Sequence, residues 1–205
     1  MLSDRGILFI VSGPSGAGKS TLVNRVIAEV PGLKYAVSYT TRPRRETEVE
    51  GRDYYFVTEG EFEGMRAQGE LIEWAEVYGY LYGRSRRAIE ADLQAGVDAM
   101  LSIDVQGAAS LKRAMSDSLT IFVLPPSFEV LAERLCARGT DLSGTVEQRL
   151  EIAKQEVLRY NEFDYIIVNG DLEEAQETLR AVVIAERQKR GRMEREVGEI
   201  IGTFR

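Results

Sequence analysis

The 205-residue sequence contains no histidine and a single cysteine, Cys136. Without imidazole there is no histidine general base and no histidine-based metal site, and one cysteine excludes an internal disulfide. Long apolar runs are missing too. The longest near the start, residues 7–11, falls far short of the roughly 20 residues that span a bilayer, and it lacks the flanks and cleavage site of a secretory signal. The expectation is a soluble, cytoplasmic protein with no membrane partner. Positive charge is also in deficit: 26 Lys and Arg stand against 33 Asp and Glu, a formal net charge of −7. Broad nucleic-acid binding needs a basic face that displaces phosphate counterions, so no nucleic-acid partner is expected. Repeats and low-complexity linkers are absent. What is present, 44% hydrophobic residues, is enough to bury a core as one domain with an elaboration or as two small domains.

Strand and helix patterns alternate along most of the chain. Residues 6–12 form a continuous apolar run that opens into a glycine-rich turn, and residues 19–30 carry a helical amphipathic pattern ending before Pro31 and Gly32. Further strands are predicted at 98–103, 119–124 and 165–168, and helices at 106–115, 127–137, 145–162 and 172–190. This order predicts an α/β fold: a parallel sheet with helices on both faces. Between 35 and 84 the pattern changes to short strands at 35–41, 53–57 and 71–77 with one helix at 59–68. That stretch predicts a small inserted α+β subdomain, leaving 1–34 and 85–205 as the core domain. The charged end from 188 to 205 carries no clear signal.

The sharpest chemical pattern is GPSGAGKS, residues 13–20, which matches the phosphate-binding loop G-x-x-x-x-G-K-[ST] at every fixed position. Its glycines let successive backbone N–H groups turn inward on a phosphate, and the following helix N-terminus adds partial positive charge. Gly13, Pro14, Ser15, Gly16, Ala17, Gly18, Lys19, Ser20 and Thr21 are therefore the candidate residues for binding a nucleoside triphosphate, which the family resemblance given below makes ATP. Lys19 reaches the β and γ phosphates, and Ser20 is the candidate ligand of Mg²⁺. The loop lies between a predicted strand and a predicted helix, the context that this pattern requires.

A second cationic signal is TTRPRR, residues 40–45, three arginines among four positions. Glu46, Glu48 and Glu50 follow directly, so from the run alone a solvated loop of mixed charge is a better reading than an anion site. The nucleotide loop likewise leaves open whether the phosphoryl group passes to water or to an acceptor. DVQG, residues 104–107, fits the D-x-x-G of GTPases, but NGDL at 169–172 does not supply their guanine-reading N-K-x-D.

Taken together, VSGPSGAGKST, VSYTTRPRR, DYYFV, LIEWAEVYGYLYG, SIDVQG, RLCARGT with QRL beyond it, and YIIVNGDL resemble the guanylate kinase family, in its order, from about residue 6 to about 187. The resemblance implies a P-loop NTPase fold with an inserted GMP-binding subdomain and a lid at about 138–149, and transfer of the γ-phosphate of ATP to GMP, with dGMP as a further acceptor. It implies that Arg42 and Arg45 clamp the acceptor phosphate, aided by Tyr54 and Tyr82, with Arg44 a solvated neighbour. Arginine suits the role because its planar fork donates two parallel hydrogen bonds to phosphate oxygens. Glu73 would accept from guanine N1–H and the 2-amino group, with Ser38 and Asp104 at the base-binding wall. Trp74 reads as core of the small domain.

The same resemblance makes Arg134, Arg138 and Arg149 catalytic cations that close over the triphosphate together with Lys19 and Arg42, and sets Asn169 near the donor adenine. Two positions depart from the family. Arg84 stands where a Thr or Ser hydroxyl usually faces guanine O6; arginine can donate there as well. Ser102 stands where an acidic residue is common, which shifts any electrostatic role toward Asp104. A P-loop kinase for another phosphate acceptor, a GTPase and a non-catalytic module of the same shape remain alternatives, and a homo-oligomer is left open.

Overall fold

In the computed structural model, residues 5–77, 79–137 and 146–204 are described. The core is built on strand β1 (Leu8–Ser12), whose five residues are all buried. Strand geometry sends alternate side chains to opposite faces. Ile7, Phe9 and Val11 accordingly join one apolar cluster, while Leu8 and Ile10 join another on the other face. This explains why the run is continuously apolar rather than alternating: both faces of its sheet are covered. Each large side chain moved from water into such a core contributes about 1.5–3 kcal/mol.

The loop after β1 leads into helix α1 (Lys19–Glu29), which buries Leu22, Val23 and Val26. Strands β2 (Leu33–Tyr35), β3 (Tyr39–Thr40) and β4 (Tyr55–Phe56) precede helix α2 (Glu59–Ala67), and the hairpin β5 (Leu71–Val77) and β6 (Tyr80–Ser85) leads to helix α3 (Arg86–Gln94). Then follow β7 (Asp98–Ser102), α4 (Val105–Ala114), β8 (Leu119–Leu124), α5 (Phe128–Ala137), α6 (Val146–Val157), β9 (Tyr165–Val168), α7 (Leu172–Arg187) and α8 (Arg190–Gly202). The main sheet runs β2-β7-β1-β8-β9 with every pairing parallel. α1 and α7 cover the face that holds Phe9, and α3 and α4 cover the face that holds Ile10. In such open sheets ligands bind outside the carboxyl ends of the strands, and the loops after β1 and β7 lie at that edge, joined by the Ser12 hydroxyl donating to the Ile103 carbonyl at 3.0 Å.

A second sheet, β4-β3-β6-β5, is built from the short strands of the middle segment. β5 and β6 pair antiparallel and bring Glu73 opposite Arg84. α2 packs on this sheet through the fully buried Phe62; a Cβ on Gly83 would lie 2.9 Å from that ring, so β6 passes close beneath the helix at a glycine. The start of α2 is held by a capping box, with Thr58 and Glu61 satisfying each other's backbone N–H.

Several sequence expectations require correction. The strand expected at 35–41 is two strands in different sheets: β2 pairs with β7 and β3 pairs with β4 and β6. β6 and α3 have no counterpart among the expected elements, because YLYGRS mixes polar and apolar residues around a glycine. The helix expected over 145–162 ends at Val157 and is followed by a short 3₁₀ turn at Tyr160–Glu162. Trp74 is not core: it is 47% exposed, with the Arg66 guanidinium 4.7 Å from its ring centre. The uninformative end contains α8, whose Val197, Ile200 and Ile201 are exposed. Among the described residues no helix is long and apolar enough to cross a membrane.

Candidate active site

The glycine-rich loop is shaped by contacts that tolerate no side chain. Gly13, Gly16 and Gly18 have φ of 135°, 90° and 89°, values that side-chain-bearing residues rarely adopt. A Cβ on Gly13 would approach the Val123 carbonyl oxygen to 2.2 Å, and one on Gly18 would meet Asn169 Nδ2 at 2.2 Å. Asn169, 3% exposed, donates from Nδ2 to the Ala17 carbonyl at 2.7 Å. The structure thus sets Asn169 beneath the loop as a fastener. Lys19 Nζ bridges the Gly13 and Pro14 carbonyls at 2.7 and 2.9 Å, folding the ammonium over the loop mouth. Ala17 and Pro14 are buried, whereas Ser20 and Thr21 are exposed on the first turn of α1.

Of the residues expected to receive the acceptor, Ser38, Tyr54, Glu73, Tyr82, Arg84 and Asp104 line one cavity of about 310 Å³ together with Ser102, whereas Arg42 and Arg45 are not in its lining. Glu73 comes from β5 and Arg84 from β6; they form an ion pair between Arg84 Nη1 and Glu73 Oε1, with side chains 10% exposed for Arg84 and 17% for Glu73. Asp104 caps α4, its Oδ1 accepting from the Gly107 N–H at 2.8 Å. β5 comes near α4 there: a Cβ on Gly107 would lie 3.1 Å from Glu73 Oε2. Ser38 is buried at 8% exposure.

Arg42 packs against two of the lining residues, Tyr54 and Tyr82. The Tyr54 and Tyr82 rings meet edge-on with centres 5.9 Å apart, and the Arg42 guanidinium lies 5.5 Å from the Tyr54 ring centre. Arg42 also hydrogen-bonds Tyr82. Burial, followed by the neighbouring Tyr82, raises the Tyr54 pKa, so Tyr54 stays a neutral hydroxyl donor at pH 7. Arg44 and Arg45 are exposed; the Arg45 backbone N–H donates to Glu48 Oε2 at 2.8 Å.

Among the residues expected at the triphosphate, Arg134 of α5 donates from Nη2 to the Asn169 carbonyl at 3.0 Å, while its Nη1 is buried with no hydrogen-bond partner among the described residues. Arg149 of α6 donates to the Ser15 hydroxyl at 2.7 Å. Seven residues along the same helix, Glu156 accepts from the Ser15 backbone N–H; burial raises its pKa, Lys19 opposes that rise and Asp104 adds to it. α6 therefore lies over the loop with one cation and one carboxylate on it. Arg138 and the segment 138–145 expected as part of the lid lie outside the described residues.

With this geometry in view, comparison with known proteins is informative. The guanylate kinase family profile matches residues 5–186. The chain belongs to the guanylate kinase family. It is similar to the guanylate kinase of Thermotoga maritima, with 45% identity over 90% of this chain and 89% of that one. Likeness to the guanylate kinase of Neisseria meningitidis serogroup A is 47% over 92% of each chain. Among solved structures, the crystal structure of guanylate kinase from Anaplasma phagocytophilum matches with a TM-score of 0.71 and 35% identity over 93% of this chain and 91% of that one. As a guanylate kinase, the chain is a nucleoside monophosphate kinase, and ATP and GMP are the substrates that follow from the family.

Two site neighbours of this guanylate kinase escape sequence reasoning. Glu48, which reads in sequence as one member of a solvated charge run, grips Arg42 at 2.6 Å with its side chain only 14% exposed. Glu156 carries no motif at all, although its seven-residue spacing from Arg149 places both on one helical face and is a signal that a helical projection could use.

Proposed function

We propose that this guanylate kinase carries out in-line transfer of the γ-phosphoryl group from ATP to the phosphate of GMP or dGMP, in the cytoplasm, giving ADP and GDP or dGDP. The carrying observation is the shared cavity of Glu73, Arg84, Tyr54, Tyr82, Ser38 and Asp104. In this reading residues 35–84 receive the acceptor, and 1–34 with 85–205 receive the donor.

Arg42 and Arg45 bind the acceptor phosphate with the hydroxyls of Tyr54 and Tyr82. Glu73 takes the two donors of the guanine edge. Loss of such a polar match to a wrong base can cost roughly 10⁴-fold in kcat/KM. The backbone N–H groups of residues 13–20 and Lys19 hold the donor phosphates, with Asn169 keeping the loop in place. Lys19, Arg134, Arg149 and, by resemblance, Arg138 neutralise the charge that spreads over the transferring group; positioning and electrostatics are most of what this chemistry needs. No general base is required, since a phosphate monoester with a second pKa near 6 is already mostly dianionic at pH 7. That accommodates a chain without histidine.

Mg²⁺ fits this site as a phosphate-borne ion. Among the described residues no group of three or more His, Cys, Asp or Glu side chains could hold a metal, while the exposed hydroxyl of Ser20 stands on the first turn of α1. Ser20 would hold the ion together with phosphate oxygens and water. Bound there, Mg²⁺ offsets phosphate charge.

The test is ADP formation by the purified protein with Mg·ATP and no acceptor, GMP, dGMP, AMP, UMP or CMP. Strong turnover with GMP and dGMP is expected, and Glu73→Gln should lose most of it while ATP binding persists. Equal ADP formation without acceptor, or preference for another nucleotide, would overturn the reading.

A further inference from the structure

At the amino ends of β1, β2 and β7, opposite the strand ends that carry the phosphate loop, lies a cavity of about 380 Å³. That volume falls within the roughly 300–1,000 Å³ of small-ligand sites, and none of the roles assigned above uses it. Its charged lining consists of Arg5, Arg187, Arg192 and Arg195 against Asp98 and Glu196. In a chain whose formal net charge is −7, this excess of arginine reverses the sign locally. A cleft lined mainly by one sign of charge focuses the field on an incoming counter-ion.

The two acids do not cancel the cations. Asp98 is buried at 5% exposure; its Oδ1 accepts from the Ile7 N–H at 2.6 Å and its Oδ2 from Arg187 Nε at 2.7 Å. Both oxygens are therefore committed to the wall and to one arginine. Glu196 is exposed on α8. Arg187 keeps both Nη groups outside its ion pair with Asp98, and a Cβ on Gly32, another lining residue, would lie 3.8 Å from Nη2. Arg192 is fixed by Nη1 donating to the Arg5 carbonyl at 2.8 Å. Among the described residues neither Arg5 nor Arg192 has a carboxylate partner, whereas Arg195 has Glu199 at 3.9 Å.

Two guanidinium groups thus share one wall through a backbone contact, beside the remaining donors of a third. A guanidinium has five N–H donors and no acceptor, and its planar fork matches phosphate oxygens two at a time. A diphosphate offers oxygens on two phosphorus centres and enough charge to answer more than one fork. We propose that this cavity is a second anion site, separate from the catalytic cleft, which takes a diphosphate group, free or carried on a nucleotide, through Arg5, Arg187 and Arg192.

Calorimetric titration with inorganic diphosphate tests the site. At 0.15 M salt exposed charges are screened beyond about 8 Å, which suppresses diffuse binding. The unmodified protein is expected to bind one more equivalent than Arg5→Gln/Arg192→Gln, whose affinity at this cavity falls at least about tenfold, with GMP turnover alike in both. Equal stoichiometry in the two proteins overturns the proposal. So does an equal loss in Lys34→Gln/Arg52→Gln, which removes two exposed cations elsewhere, because the effect is then one of general charge. Where the Arg5/Arg192 variant does not fold, phenylglyoxal labelling of the unmodified protein decides: diphosphate should shield Arg5, Arg187 and Arg192 but not Arg180 on α7, and uniform labelling overturns the site. Competition by ADP for the equivalent lost in the variant assigns the diphosphate to a nucleotide, and its failure to compete assigns the free ion.

Discussion

Arg42 Nη2 stands 2.6 Å from Glu48 Oε1, and the two side chains are 13% and 14% exposed. The arginine assigned to the acceptor phosphate is therefore already engaged by a carboxylate six residues on. The hydrogen bond from Arg42, followed by the backbone N–H of Arg45, holds Glu48 below its ordinary value of 4.5. An entering phosphate must displace or share that partner. Glu48→Gln is expected to lower KM for GMP about threefold, the scale of a partly exposed ion pair, with kcat little changed. A raised KM in initial-rate measurements would mean instead that Glu48 aligns Arg42 for the phosphate.

The same pair gives a pH dependence of stability. A depressed folded-state pKa contributes stability above the unfolded value, and that contribution is lost as pH falls through the folded one. Glu48→Gln should flatten the decline of Tm with acidification below about pH 5. Parallel Tm-versus-pH curves for the two proteins would remove the ion pair from acid unfolding.

Lys19 bridges two loop carbonyls in addition to its assigned role toward phosphate. Lys19→Ala is expected to reduce kcat/KM by about 10²-fold or more, while circular dichroism shows the fold retained. Retained turnover would sink the assignment.

Glycines at two places should respond in opposite directions to the same substitution. Gly13→Ala drives a Cβ to 2.2 Å from the Val123 carbonyl oxygen at a φ of +135°. It should lose ATP binding and more than about 1 kcal/mol of stability. Gly60 lies in α2, where an added Cβ would meet nothing within 4 Å among the described residues; Gly60→Ala should raise stability by about 0.5–1 kcal/mol through helix propensity. Urea unfolding of both variants checks the pair of signs.

Tyr165 donates its hydroxyl to Glu186, a carboxylate on α7 that is 2% exposed and also bridged by Lys189 at 2.7 Å. That hydrogen bond, with burial adding to it, pushes the Tyr165 pKa up to about 12 from an ordinary 10.0. A raised pKa stabilises the fold below the unfolded value and the stabilisation is lost as pH rises from there to the folded value. Tyr165→Phe should cost about 1–2 kcal/mol at pH 8, with the difference shrinking above about pH 10 as Tyr165 ionises in the unfolded chain but not yet in the folded one. An equal difference at pH 8 and pH 11 would contradict the coupling.

Legibility in the sequence follows the range of the interactions. Residues 8–12 and 119–124 read as strands because burial on both faces leaves mostly apolar side chains, a pattern contained in the segment itself. β6 does not, because Arg84 and Ser85 are buried polar residues whose partners, Glu73 among them, arrive from elsewhere in the chain. Trp74 misleads for the same reason: its surroundings depend on which face of β5 meets α2, and that face is set by pairing with β6. Ser38 can be named only through resemblance, since a lone serine carries no pattern of its own; Asp104 falls in DVQG, but that D-x-x-G pattern points to the γ-phosphate, and its place at the base comes only from resemblance.

By itself, the sequence determined the loop, its lysine, the order of most strands and helices and the absence of imidazole chemistry, because each rests on residue type and local spacing. Only the tertiary structure decided that Arg42 is held by Glu48, that Asn169 fastens the loop at Ala17 from beneath and that Arg84 is paired with Glu73. Those contacts join residues 6, 152 and 11 positions apart, and nothing in backbone propensity records which side chains will meet once the two sheets have formed.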